Sequence, residues 1–302
     1  MLRLLSIGVA IAAVLALYQP QAHPTTRTRL IMLGTGTPEA SPERFGPATV
    51  VLVDDTPYLV DAGVGVVRRW SAAIAQHQLS GLHPSDLKTA FITHLHSDHT
   101  LGYPDLILTS WTLEDDQRRR PLNVFGPSGL REMTTHLLAA YRADIEVRRG
   151  KGGELEGDPP PAVNVHEIKP GIVHRDAHVT ITAFAVHHGT WPEAYGYRFQ
   201  TPDMDIVISG DAASPSTIPA QCHRCDILVH EGGRPQGAVR PGGYYHRFHT
   251  TAEELAEIAK QSQPKLLVLY HQATSDSQRA LRTVQAHYSG SVVVAKDLDV
   301  FP

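Results

Sequence analysis

Cysteine is nearly absent from this chain: Cys222 and Cys225 are the two thiols in 302 residues. Two thiols exclude a disulfide-stapled scaffold, a four-cysteine zinc knot and a four-thiolate iron–sulfur cluster. Their C-x-x-C spacing leaves a local disulfide, ranked first, then inert thiols, then a redox pair. An excess of charge of one sign is missing too. Lys and Arg number 27 against 31 Asp and Glu, for a net charge of −4. That balance argues against a surface built throughout for nucleic acid. Local basic clusters do occur, at Arg118-Arg119-Arg120 and at Arg148-Arg149-Gly150-Lys151, and such runs are ordinarily solvated faces. No linker-like shift in composition and no repeat at solenoid period divides the chain. With 42% hydrophobic and 19% charged residues, the chain has enough apolar side chains for a sizeable core.

The N-terminus reads as an export signal. Arg3 supplies the positive start. Leu4 to Leu17 is apolar apart from Ser6 and falls short of the roughly 20 residues that span a bilayer. The polar Gln19-Pro20-Gln21-Ala22-His23-Pro24 breaks it, with cleavage expected after Ala22. An uncleaved anchor is the second reading, and membrane contact follows only from it. No cysteine ends the apolar run, so a lipid anchor is not supported. Residues 1–22 are thus assigned to a signal or anchor, and 23–302 to one folded domain, periplasmic or secreted.

Alternating apolar runs followed by turn residues give a strand-rich pattern with helices between. Strands are expected at Arg29–Leu33, Thr49–Val53, Tyr58–Val60, Thr89–Thr93, Leu122–Phe125, His178–Val186, Tyr195–Phe199, Asp205–Ile208, Asp226–Val229 and Leu266–Leu269. Helices are expected from Val66 toward Gln78, over Pro104–Leu113, up to about Tyr141, and over Thr250–Gln261. Thr250 is the expected N-cap of the last, with Glu253 three residues on. Residues 149–161 read as a loop. Gly34-Thr35-Gly36-Thr37-Pro38 lacks the third Gly of a dinucleotide fingerprint and the Lys of a P-loop, and reads as a tight turn.

Histidine is plentiful, at 18 residues. The densest stretch is His94-Leu95-His96-Ser97-Asp98-His99, directly after the apolar strand. Alternation along extended backbone points His94 and His96 the same way, and Asp98 and His99 follow one turn later. Imidazole and carboxylate suit zinc and similar divalent metals. Burying four such groups without a metal costs several kcal/mol each, roughly 2–7 on transfer scales. Three more strand ends carry ligand types: His187-His188, Asp211 and His271. Alternation from Phe184 and Val186 favours His188 over His187. Seven ligands suit two metals with open positions for water and substrate. Asp61 is expected behind the ligands or capping a loop.

These motifs resemble the metallo-β-lactamase superfamily, within it the ribonuclease Z and bacterial arylsulfatase-like branch. The resemblance spans nearly all of residues 23–302. It rests on Leu33-Gly34-Thr35-Gly36-Thr37-Pro38, Asp61-Ala62-Gly63, the H-x-H-x-D-H motif after Thr93, Tyr195-Gly196-Tyr197-Arg198, Ser209-Gly210-Asp211, His230-Glu231, His249-Thr250-Thr251 and His271. It implies an α/β (α+β) fold, an αββα sandwich, and two divalent metal ions with zinc the default. By resemblance His94, His96 and His188 hold one metal, Asp98, His99 and His271 the other, and Asp211 bridges. His249 is then a catalytic acid near the leaving group, and His230 and Glu231 support the site. Ala212 stands where Thr commonly follows the bridging Asp, and Gly232-Gly233-Arg234 replaces the usual Ala-Thr.

The functional expectation is an exported hydrolase of small sulfate or phosphate esters and diesters, acting by hydroxide attack between the metals. A nucleic-acid partner is argued against, and a homodimer is allowed. The alternative is a ribonuclease Z-type tRNA 3′-processing nuclease, and a further one a periplasmic lactam or lactone hydrolase.

Overall fold

A computed structural model describes residues 28–79, 82–83, 86–113, 121–213, 216–273 and 275–302. The proposed export segment and Arg118-Arg119-Arg120 lie outside these residues. Among the described residues no helix is long and apolar enough to cross a membrane.

The first half of the chain builds one sheet. Its strands are β1 (Thr28–Gly34), β2 (Ala48–Val53), β3 (Thr56–Val60), β4 (Thr89–Phe91), β5 (Leu122–Gly126) and β6 (Val163–Glu167), closed by β14 (Val300–Phe301) beside β1. The second half builds the other: β7 (Gly171–Arg175), β8 (Thr180–Ala185), β9 (Tyr195–Gln200), β10 (Asp205–Ile208), β11 (Ile227–Glu231), β12 (Leu266–Tyr270) and β13 (Val292–Val294), adjacent in reverse sequence order.

Side-chain alternation explains why the sheets stack. In β2, Val51 and Val53 join the cluster between the sheets, whereas Ala48, Val50 and Leu52 face outward. In β1, Leu30 and Met32 point inward, and Ile31 and Leu33 outward. Both faces are apolar, so both must be covered. The outer face of the first sheet is covered by α1 (Val66–His77), α3 (Tyr103–Thr112) and α4 (Leu130–Ala140), through residues such as Trp70, Leu106 and Leu130. The outer face of the second is covered by α6 (Ile218–Gln221), α8 (Ala252–Ser262) and α9 (Ser277–His287), through Ile218, Leu255 and Val284. The result is the expected αββα sandwich.

Topology sets where the chemistry collects. β3 through β6 pair parallel, and so do β10 through β13. The carboxyl ends of these parallel strands release Asp61, His94, Asp211 and His271 toward one rim, the usual ligand position in such sheets.

Two local expectations are corrected. The α8 N-cap is Thr251, which exchanges bonds with Glu254, one residue past the expected pair. Thr250 is drawn away because its hydroxyl donates to the Ala212 carbonyl at 2.6 Å. The stretch after Tyr141 is not all loop, since α5 (Arg142–Arg149) precedes the turns. The Arg148 cluster, read as a solvated face, has local partners for its guanidinium groups. Arg148 is paired with Asp144 at 3.0 Å and with Glu154, and Arg149 donates to the Asp158 carbonyl. The two cysteines form a disulfide, buried beneath α8.

Candidate metal centre and catalytic cleft

Seven side chains from four segments, residues 94–99, His188, Asp211 and His271, converge on the rim. Ligand atoms of His94, His96, His188 and Asp211 lie within 4.8 Å of one another, and so do those of Asp98, His99 and His271. His96 Nδ1 is 2.9 Å from His94 Nε2 and 3.1 Å from His188 Nε2. The second group is as tight, with His271 Nε2 at 3.1 Å and His99 Nε2 at 3.6 Å from Asp98 Oδ2. Asp211 lies between the two. Its Oδ2 is 4.0 Å from His94 and 3.9 Å from His188, and 3.5 Å from His271, while Oδ1 is 3.4 Å from His99.

Four of the five rings, those of His94, His96, His99 and His188, carry a hydrogen bond on the nitrogen facing away from this convergence. Asp61 accepts from Thr93 N at 2.8 Å and lies 2.8 Å from His99 Nδ1, turning His99 Nε2 toward Asp211. His188 Nδ1 donates to the Phe248 carbonyl at 2.6 Å. Trp191 donates its indole N–H to His96 Nε2 at 2.6 Å. Acceptors such as Asp61 and the Phe248 carbonyl fix the tautomer and direction of a metal-ligating imidazole, whereas the Trp191 N–H orients the His96 ring and leaves its proton on Nδ1. Asp61 and His271 both sit at positive φ, 61° and 51°. That conformation is uncommon for non-glycine residues and gathers at functional sites.

The electrostatics suit cations. Burial, reinforced by neighbouring imidazoles, holds His94 well below 6.5 and lowers His96 and His188, leaving neutral nitrogens with lone pairs. Burial also opposes charge on His99, but Asp211 and Asp61 outweigh it and hold His99 well above 6.5. For Asp211, burial raises the pKa, but His271, His99 and His94 hold it well below the usual carboxylate range. Buried His99 Nε2 and Asp211 Oδ1 make no hydrogen bond. Buried polar atoms without partners are costly. Converging lone pairs, anionic carboxylates and these orphaned atoms fit divalent cations as the missing partners.

A cleft of about 460 Å³ opens over Asp98, Asp211 and His271. Its wall carries Arg234, Tyr244, Tyr245 and His249. His249 Nδ1 is 2.7 Å from Glu231 Oε2, and Glu231 Oε1 accepts from Ala212 N at 2.7 Å. Burial lowers the pKa of His249, yet the Glu231 carboxylate prevails and raises it from 6.5 to about 9. His230 is fully buried, 3.0 Å through Nδ1 from the Glu231 carbonyl, and does not line the cleft. His187 is exposed and His246 is not on the cleft wall, so neither joins His249. Arg198 pairs with Asp205 on the neighbouring strand, at 2.9 and 2.5 Å, and is structural.

Sequence reasoning missed Trp191, Tyr244 and Tyr245. They lie on turns and on the short α7 (Tyr244–Phe248), where no periodicity marks them. The signal was aromatic residues within a few positions of His188 and His249.

Residues 56–272 match the beta-lactamase superfamily domain. The chain belongs to the metallo-β-lactamase superfamily. Its relatives within that class include the ribonuclease Z of Mycobacterium sp. (strain KMS), 35% identical over 248 residues, covering 80% of this chain and 82% of the relative. The metallo-beta-lactamase fold protein YhfI from Bacillus subtilis superimposes with a TM-score of 0.69 at 15% identity, over 91% of this chain and 98% of that one. Human tRNase Z, short form, does so with a TM-score of 0.67 at 24% identity, with the same coverage.

These relatives correct one expectation. The balanced charge argued against nucleic acid as a partner, but two of these relatives are a ribonuclease Z and a tRNase Z. Net charge describes the whole surface, whereas phosphodiester recognition needs only a local site, so the exclusion does not hold.

Proposed function

We propose that the chain is a ribonuclease Z-type metal-dependent phosphodiesterase that cuts RNA. The observation that carries this reading is the seven-ligand convergence around Asp211. His249 beside it is held protonated by Glu231. The 35% identity to a ribonuclease Z supports RNA rather than a sulfate ester.

In this reading His94, His96 and His188 would hold one divalent cation and Asp98, His99 and His271 a second, with the Asp211 carboxylate available to either. Zinc is the default for such a ligand set. A bound cation pair lowers the pKa of water and neutralises charge on the phosphoryl group. The protein supplies the rest. Asp61, Thr93 and the Phe248 carbonyl keep His99, His94 and His188 in position. Arg234, on the cleft wall, faces the substrate backbone. It is also paired with Asp276 at 3.1 Å, which limits its freedom. His249, protonated and backed by Glu231, gives its proton to the departing oxygen. General acid catalysis of this kind is worth about 10²–10⁴-fold.

The test is cleavage of an end-labelled RNA with a single-stranded 3′ extension by the zinc- or manganese-loaded protein. Aryl sulfate and bis-aryl phosphodiester are run beside it. Cleavage of RNA, abolished by chelator and weakened by salt, is the expected result. Turnover of aryl sulfate alone overturns the reading. Residues 1–22 are proposed as an export signal, which a mature N-terminus at His23 supports and one at Met1 overturns.

A further inference from the structure

A second cavity, of about 420 Å³, adjoins the catalytic cleft. The two share Thr37, Pro38, Glu39 and Asp98. The Thr37–Glu39 segment therefore stands as a ridge between them, and Asp98 lines both. The chemistry of the two walls differs. The catalytic cleft carries Arg234, His249 and the tyrosines. The second cavity is lined by the apolar Pro42, Phe45, Val64 and Leu101 and by the polar Ser41, Arg44 and Ser97.

The surface pattern singles these cavities out. Six large apolar side chains stand out as exposed among the described residues. Three of them line the two cavities: Tyr244 in the catalytic cleft, and Val64 and Leu101 in its neighbour. Val64 is 52% and Leu101 60% exposed. Apolar groups left in water beside a reactive centre mark a surface that a ligand covers. Neither residue is loosely held. Val64 O accepts from Gly46 N, and Leu101 N donates to Ser97 O at 2.8 Å. Phe45 is fixed under the Arg69 guanidinium, 4.9 Å from its ring centroid.

A phosphodiester has two ester arms, and the ridge leaves two places to put them. His249 lies in the catalytic cleft, so the leaving arm occupies that side. We infer that the Phe45–Val64–Leu101 cavity is the subsite for the retained arm, and that it takes a flat aromatic group, a nucleobase in an RNA substrate. This rests on the phosphodiesterase reading above. The apolar side chains stack a ring and the Arg44 guanidinium is engaged by Thr35 and the Ala295 carbonyl, so the subsite selects for a planar arm and not for a base sequence.

Three substrates sharing one leaving group test it: bis(p-nitrophenyl) phosphate, thymidine 5′-(p-nitrophenyl phosphate) and methyl p-nitrophenyl phosphate. Retained arms are then aryl, nucleoside and methyl. The metal-loaded full chain is expected to favour the two planar arms over methyl by about tenfold in kcat/KM, through KM. That is the effect of covering about one apolar side chain. Leu101→Ser and Val64→Ser are each expected to bring the ratio toward one. Val147→Ser, 74% exposed on α5, leaves it as in the parent and controls for surface change. A parent enzyme without the preference, or Leu101→Ser and Val64→Ser variants that keep it, overturns the subsite alone. A parent enzyme inert on all three diesters overturns the functional reading, and the subsite with it.

Discussion

Replacing Glu231 with Gln separates the charge on the catalytic pair from its shape. Glu231 is 1% exposed and His249 has a side-chain exposure of 13%, so little water screens the pair. With Glu231 in place the His249 pKa is about 9 against an ordinary 6.5. That difference corresponds to a ceiling of about 3 kcal/mol on the pair. At pH 7.5 a group at about 9 is about 97% protonated, and one at 6.5 about 9%. Glu231→Gln therefore removes about nine-tenths of the acid form. With a poor leaving group such as a ribose oxygen, kcat at pH 7.5 is expected to fall by at least about tenfold, toward the 10²–10⁴-fold loss of His249→Ala. With p-nitrophenolate, which leaves without a proton, both variants should stay near the parent. The basic limb of the pH–rate profile should move from about 9 toward 6.5. The same shift acts on stability. A group raised by folding stabilises fully below its unfolded pKa and loses that contribution as pH rises through the folded one. In chelated protein the pair's contribution is thus complete below pH 6.5 and gone above about 9. Denaturant titrations at pH 6 and pH 10 read this directly. An unmoved pH profile in Glu231→Gln, or equal losses with both leaving groups, would refute the acid role.

Asp61→Asn weakens the anchor on His99 and is expected to cost about 10–100-fold in affinity for the metal on that side, read by chelator competition. Loading metal should also move Trp191. If His96 lends Nδ1 to a cation, its ring proton would have to sit on Nε2, opposite the Trp191 N–H that now donates to that atom at 2.6 Å. Zinc added to chelated protein is therefore expected to change tryptophan fluorescence, and Trp191→Phe to abolish the change, since Trp70 and Trp111 are buried elsewhere. Reducing the Cys222–Cys225 bond frees a four-residue loop. The expected loss is about 2 kcal/mol in denaturant stability. No measurable loss would mean that the surrounding packing alone holds the α6 turn.

The contrast between what could be read from sequence and what could not follows burial. The H-x-H-x-D-H ligands were legible because they follow an unbroken apolar run that reads as a buried strand, and because so many ligand types in six residues have few other uses. His188 was separable from His187 because alternation from Phe184 and Val186 continues into the turn, and the structure buries the first and exposes the second. The missed elements lack that signal. β6 and β7 bury little: Val165 alone of β6 is buried, and none of β7. α5 buries only Ile145 and is polar around the rest of its circumference. Such segments are held by neighbours rather than by their own pattern. The cleft wall is a third case. Tyr244 and Leu101 are apolar and exposed, which reads as neither core nor surface. Their placement follows only once two sheets bring distant turns to one rim. A metal centre is written in a local stretch because its ligands crowd on one strand end. The substrate arms are held by side chains such as Val64, Leu101 and Tyr244, far apart in the chain. Specificity therefore becomes visible only with the fold, and substitution of those three positions is expected to change which diester is cut before it changes whether metal is bound.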